Sequence, residues 1–164
     1  MLQILKQNIF MIPILRKKLV FPLLILFAGY FTIGCNQEND DAAAIIKVLE
    51  KESATWRSGD SVAHAACWQI RPYSTVLVST ADGKFYDVPP EMITHPAPGS
   101  MGKGGTSANG NYKISFHGLG AWVSHNEEST SADGTKSYSK EIRMLEKVDG
   151  DWKLVGQSIH LYKK

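Results

Sequence analysis

The sequence predicts an α+β domain in which helices pack on one face of an antiparallel sheet. Helical patterning fills residues 41–68, and apolar runs of strand type fill much of the chain after residue 73. The last three runs are joined at Asp133-Gly134 and Asp149-Gly150, dipeptides that favour tight hairpin turns. Successive antiparallel strands joined this way form a meander.

The first helix is read from "DAAAIIKVLEKESATW", where Ile45, Val48, Leu49 and Trp56 make one apolar stripe and Asp40 or Asp41 is the N-cap. Ser58-Gly59-Asp60 ends it. Asp60 then caps a second helix, "DSVAHAACW", which Arg71-Pro72 stops because the residue before proline is pushed out of the α region. "YSTVLVST" and "KFYDV" flank the turn Ala81-Asp82-Gly83, and "PPEMITH" reads as a short helix entered through proline. "PAPGSMGKGGTSANGN" reads as a long mobile loop. Four strands follow, "YKISFHG", "GAWVSHNEEST", "KSYSKEIRMLEKV" and "DWKLVGQSIHLYK".

The N-terminal 34 residues have a different character. Arg16, Lys17 and Lys18 precede "LVFPLLILFAGYFTIG", an apolar run ending in small residues, which is the pattern of a secretory signal peptide. "TIGC" resembles the bacterial lipobox, with Thr32 where that pattern prefers Leu. The resemblance implies a lipid on Cys35 and a membrane-anchored lipoprotein of the bacterial cell envelope, periplasmic or surface-facing. Residues 35–41 then form a lipidated cysteine and polar tether, and 42–164 the domain. Loss of residues 1–34 removes Lys6, Arg16, Lys17 and Lys18 and no acid. The formal count moves from 18 basic and 16 acidic residues to 14 and 16. With no basic cluster left, nucleic-acid binding has no electrostatic footprint. With Cys35 lipidated, Cys67 is the one free cysteine, so no intramolecular disulfide forms, and a packed thiol is its default state.

"AAIIKVLEKESATWRSGD" resembles the first helix of the nuclear transport factor two-like (SnoaL-like) superfamily, in which an aromatic residue often precedes a Gly-Asp pair. "AWVS", "EIRMLEK" and "DGDWKLV" resemble its closing meander, so the likeness spans residues 41–163. It implies a curved sheet wrapped around helices into a cone open at one end to a pocket, often as a homodimer through the outer sheet face. Because that fold hosts isomerases, dehydratases, hydrolases and non-catalytic members, function rests on the site residues.

A ketosteroid-type isomerase needs a carboxylate base on the first strand and a tyrosine on the first helix. No Asp or Glu lies between Asp60 and Asp82, and the helix position holds Glu52, so that pattern is absent. Histidines are the better acid–base candidates, with His160 and His125 first and His64 and His117 behind them. No His pair at i, i+4 and no Cys-x-x-Cys occurs, so neither a metal nor a cofactor is expected. "GSMGKGGT" lacks the Ser/Thr and the following helix of a phosphate loop.

Strict alternation on the last strand places Trp152, Leu154, Gly156, Ser158, His160 and Tyr162 on the cavity side. Val155, Ile159 and Leu161 then face outward as an apolar patch for a second copy. On the preceding strand Arg143 is in phase with Glu141 and Leu145. The expected ligand wall is Trp56, Trp68, Tyr73, Trp122, Arg143, Ser158 and His160, around a small, largely apolar molecule. Two other functions stay open: a hydrolase or lyase using His160 or His125, and a protein-interaction module without ligand. An open cavity meeting two or more polar side chains favours binding or catalysis; a cavity filled by Trp and Phe favours the module.

Overall fold

The stripe Ile45, Leu49 and Trp56 is helical in the computed structural model, which describes residues 20–164 and side chains from residue 37. The signal peptide read over residues 1–34 and the lipid-bearing side chain of Cys35 fall outside those described side chains. The chain divides between Asp41 and Ala42, and every residue of the site belongs to the unit Ala42–Lys164.

Helix α1 (Val20–Ser58) runs through Asp40 and Asp41, which are therefore interior helix residues and not its N-cap. No proline or glycine between Cys35 and Ser58 breaks it there. Gly59, at φ +75°, ends it. Asp60 Oδ1 then accepts from the Ala63 amide at 2.9 Å and caps α2 (Ser61–Ala65), as its side chain predicts.

Strands β1 (Val76–Ser79) and β2 (Phe85–Asp87) form the expected hairpin, and α3 (Glu91–Thr94) follows Pro89-Pro90. Strands β3 (Gly105–His117), β4 (Gly120–Ser131), β5 (Lys136–Val148) and β6 (Asp151–Tyr162) complete a curved, unclosed six-stranded sheet in the order β2-β1-β6-β5-β4-β3. β1 joins β6 in parallel, and the remaining pairs are antiparallel. Asp149 and Gly150 both have positive φ, +52° and +92°, which matches the twist of a tight hairpin.

β3 corrects the loop reading, because its first residues come from the Gly-rich stretch. Gly105 pairs with Ser131, and a Cβ there would stand 2.2 Å from the Thr130 carbonyl oxygen. Here glycine permits the close strand approach that its composition otherwise suggests is a loop.

Ile45 and Leu49 of α1 pack with Val76, Val123, Leu145 and Leu154 of the sheet in one buried cluster. Trp68, Trp152 and Cys67 belong to the same cluster. Burial raises the Cys67 thiol above its ordinary pKa, as a packed cysteine requires.

Candidate functional site

Beyond Leu49 the α1 stripe turns polar while staying inside. Glu52, Ser53, Trp56 and Arg57 follow at helical spacing, and Glu52 is only 5% exposed. They face the inner surface of the sheet across an open cavity of about 670 Å³. One wall is apolar, with Val76, Val78, Val88, Ile93, Ile159 and Leu161. The floor is ionic, where Glu127 of β4, Glu141 and Arg143 of β5 and Gln157 of β6 project inward.

Two guanidiniums organise that floor. Arg143, 3% exposed, donates from Nε to Glu141 at 2.9 Å, from Nη2 to the same carboxylate and from Nη1 to Gln157. Ser139 donates to Glu141 at 2.6 Å. Arg57 donates to Ser129 Oγ at 3.0 Å, to the Ser53 carbonyl at 2.6 Å and to Glu127, which also accepts from Ser53 Oγ at 2.6 Å. The contacts from Ser53 and Arg57 to Glu127 and Ser129 join residues 70 or more apart in sequence, brought together by the sheet wrapping α1.

Burial by itself would raise the Glu141 carboxyl, but Arg143 beside it, aided by Ser139, holds it below the ordinary carboxylate range. The Arg143 guanidinium, which burial would weaken, is held cationic by Glu141 and Glu52. Burial, with repulsion from Glu141, pushes Glu127 upward against Ser53 and Arg57. His125 lies behind the floor, with Nε2 3.5 Å from Glu141 and its ring stacked on Tyr112 at 5.2 Å. Burial lowers its pKa although Glu141 pulls the other way, so it is neutral near pH 7. Burial also raises the Tyr112 phenol to about 12.

Of the sequence-predicted wall, Trp56 and Arg143 line the cavity. Trp68 is buried in the hydrophobic core instead. Tyr73 and Trp122 are 62% and 55% exposed; Tyr73 bonds Glu146, and Trp122 lies on the outer sheet face opposite Met144. Ser158 and His160 are corrected as well. Leu145 pairs with Leu154 but Met144 pairs with Gly156, so Val155 is an extra residue, a β-bulge. The bulge reverses the side-chain phase. Trp152 and Leu154 remain inside, but Gln157, Ile159 and Leu161 point inward after them.

His160 consequently sits on the outer face, with Ser79 Oγ 2.8 Å from Nδ1 and Ser158 Oγ 3.0 Å from Nε2. The same reversal removes Ile159 and Leu161 from the outward patch. Charged and polar side chains share the cavity lining with the apolar ones, so the expected apolar ligand would also meet polar groups. Glu52, Arg57, Glu127, Glu141 and Gln157 were not foreseen as site residues. A charged residue at stripe spacing on α1, and Ser139-x-Glu141-x-Arg143 in phase with Leu145, were the available signals. Among the described residues no three His, Cys, Asp or Glu side chains are grouped to hold a metal ion.

This architecture is the nuclear transport factor two-like fold. Three solved structures share it. An NTF2-like protein of unknown function from Shewanella baltica is 18% identical, with TM-score 0.58 over 76% of this chain and 96% of that one. An NTF2-like protein from Cytophaga hutchinsonii is 14% identical, with TM-score 0.58 over 73% and 97%. The association domain of CaMKII from C. elegans is 16% identical, with TM-score 0.59 over 78% and 99%. No family model matches the sequence, and no curated protein matches it.

Proposed function

We propose that the cavity binds a small molecule with an apolar body and a polar head, on a domain tethered to the bacterial envelope through Cys35. The observation that carries the reading is the open cavity itself, apolar on one wall and ionic at its floor. Its volume of about 670 Å³ is in the range of small-molecule sites, and Trp and Phe side chains do not fill it. Packing alone gives no reason to keep a buried ion network, because replacing one with well-packed apolar groups is often neutral or stabilising.

The test is native mass spectrometry of the purified chain, paired with Ile159→Trp, which places an indole in the cavity. A molecule carried by the unaltered chain and lost from the variant supports the reading. A folded variant that retains the same molecule overturns it.

Acid–base chemistry on the bound molecule is a second reading. It is favoured by Glu52 Oε1 and His64 Nε2, which face each other at 3.7 Å beside the cavity. On that reading the base belongs to this pair and not to His160.

The envelope location rests on the signal pattern and "TIGC". Pairing of two copies rests on the outer sheet face, where Trp122 lies opposite Met144, with Ile142 and Leu77 nearby opposite Ser158. Assembly named for one structural neighbour, the association domain, is in keeping with it.

A further inference from the structure

The head group that this cavity takes can be read from which polar atoms are already satisfied. Every nitrogen of Arg143 is hydrogen-bonded to Glu141 or Gln157, and those of Arg57 to Ser129, Ser53 and Glu127. Glu141 and Glu127 each accept from a guanidinium and a serine hydroxyl. Glu52 differs. Its Oε2 is paired with Arg143 Nη1 at 3.4 Å, whereas its Oε1 faces His64 Nε2 at 3.7 Å, beyond hydrogen-bond reach.

The tautomer of His64 sharpens the contrast. His64 is fully buried, and its Nδ1 lies 3.3 Å from the Glu52 main-chain carbonyl oxygen, which can only accept. Nδ1 therefore carries a proton toward that carbonyl, and in the Nδ1–H tautomer Nε2 carries a lone pair. That Nε2 has no hydrogen-bond partner. In that tautomer the buried Nε2 lone pair faces Glu52 Oε1 at 3.7 Å beside the cavity with no donor between them, at an energetic cost a ligand can remove.

Charge points the same way. Glu52, Glu127 and Glu141 outnumber Arg57 and Arg143 by one at the floor, while Lys103 and Asp133 offset each other at the exposed edge. Trp56 lines the cavity with its ring centroid 5.2 Å from that of His64, so a cation bound there meets an aromatic ring.

We infer that the Glu52–His64 corner is the head-group subsite for a primary ammonium, and that the ligand class is a small amine with an apolar body. This rests on the small-molecule reading of the cavity. The ammonium donates one N–H to Glu52 Oε1 and another to His64 Nε2, and the apolar body lies toward Val76, Val78 and Ile93.

The experiment compares phenethylamine, phenethyl alcohol and hydrocinnamate by calorimetry on the purified full chain near pH 7.5. These share one apolar body and differ in the head. The amine is expected to bind about tenfold tighter than either of the others, the scale of one charge-assisted hydrogen bond. Glu52→Gln, which keeps the shape and removes the charge, is expected to bring amine and alcohol within about twofold of each other. Equal or tighter binding of the alcohol or carboxylate overturns the ammonium assignment and leaves the cavity reading standing. No binding by any probe, with no molecule carried through purification, overturns both. A folded Glu52→Gln chain that keeps its preference for the amine moves the subsite elsewhere and also overturns the assignment. If that variant does not fold, the three-probe comparison on the unaltered chain decides.

Discussion

Arg143→Leu removes the cation at the centre of the cavity floor and leaves Glu141, 3% exposed, without the guanidinium whose two nitrogens donate to its Oε2. Gln157 and Glu52 lose their contact to the same side chain. Breaking one side of a buried ion pair costs about 3–5 kcal/mol, mostly because a charge is left buried and uncompensated. For a domain of about 120 residues that corresponds to a fall in Tm of about 10–20 °C.

The pH dependence gives a second check. With Arg143 present, Glu141 has a folded pKa below its unfolded value. Its stabilising contribution is therefore complete above the unfolded value, about 4.3, and disappears as pH falls through the folded one. Without Arg143, burial raises the carboxyl and the sign inverts. The variant is then penalised most near pH 7 and recovers as acid neutralises Glu141. The gap between the two proteins should thus narrow from pH 7 to pH 4. Arg143→Leu combined with Glu141→Leu should regain most of the loss, since removing both charges leaves nothing uncompensated. Denaturant melts across that range measure all three effects. A loss below about 1 kcal/mol, or one that does not change with pH, would falsify the account of a buried ionic floor.

Three other outcomes are expected. His160→Ala, on the exposed outer face, should change stability by no more than about 0.5 kcal/mol and leave ligand affinity unchanged, read by melting and calorimetry on one preparation. A weakened affinity there would put the cavity on the wrong side of β6. Cys35→Ser should abolish lipid labelling and move the protein from the membrane to the soluble fraction; unchanged partition removes the lipoprotein reading. Trp122→Lys should convert a dimer to monomer in light scattering, because Trp122 is 55% exposed on the sheet's outer face. A wild-type monomer at micromolar concentration removes the pairing proposal outright.

Much of the frame was legible because it depends on local chemistry. The Asp60 cap, the Asp-Gly turns and the apolar period of α1 each act within a few residues, and each predicted element is present. The site was less legible because it depends on pairings far apart in the chain. Nothing near Arg57 announces Glu127, and nothing near Glu52 announces Arg143; wrapping the sheet around α1 makes them neighbours. Buried charges also run against composition, since an isolated Glu on a helix is usually solvated. On β5 the alternation was read correctly, and Arg143, Glu141 and Leu145 share the inner face.

On β6 the same counting failed at one residue, and that residue decides which side chains meet a ligand. Period-two reasoning assumes an unbroken ladder, and a slip of one residue exchanges the two faces. Gly156 carried the signal, because a glycine inside a strand often marks a bulge or a close approach. A Cβ at Gly156 would lie 2.4 Å from Met144 Cε and 3.2 Å from the Thr75 carbonyl oxygen. Glycine there lets Met144 lie across β6 on the outer side while Val155 is taken up as the extra residue. From that point inward the strand presents Gln157, Ile159 and Leu161, one hydrogen-bonded to Arg143 and two apolar. With no bulge, Ser158 and His160 would face the cavity and Gln157 would leave Arg143 without one of its acceptors. The single inserted residue therefore sets both the polarity of the cavity wall and the closure of its ionic floor.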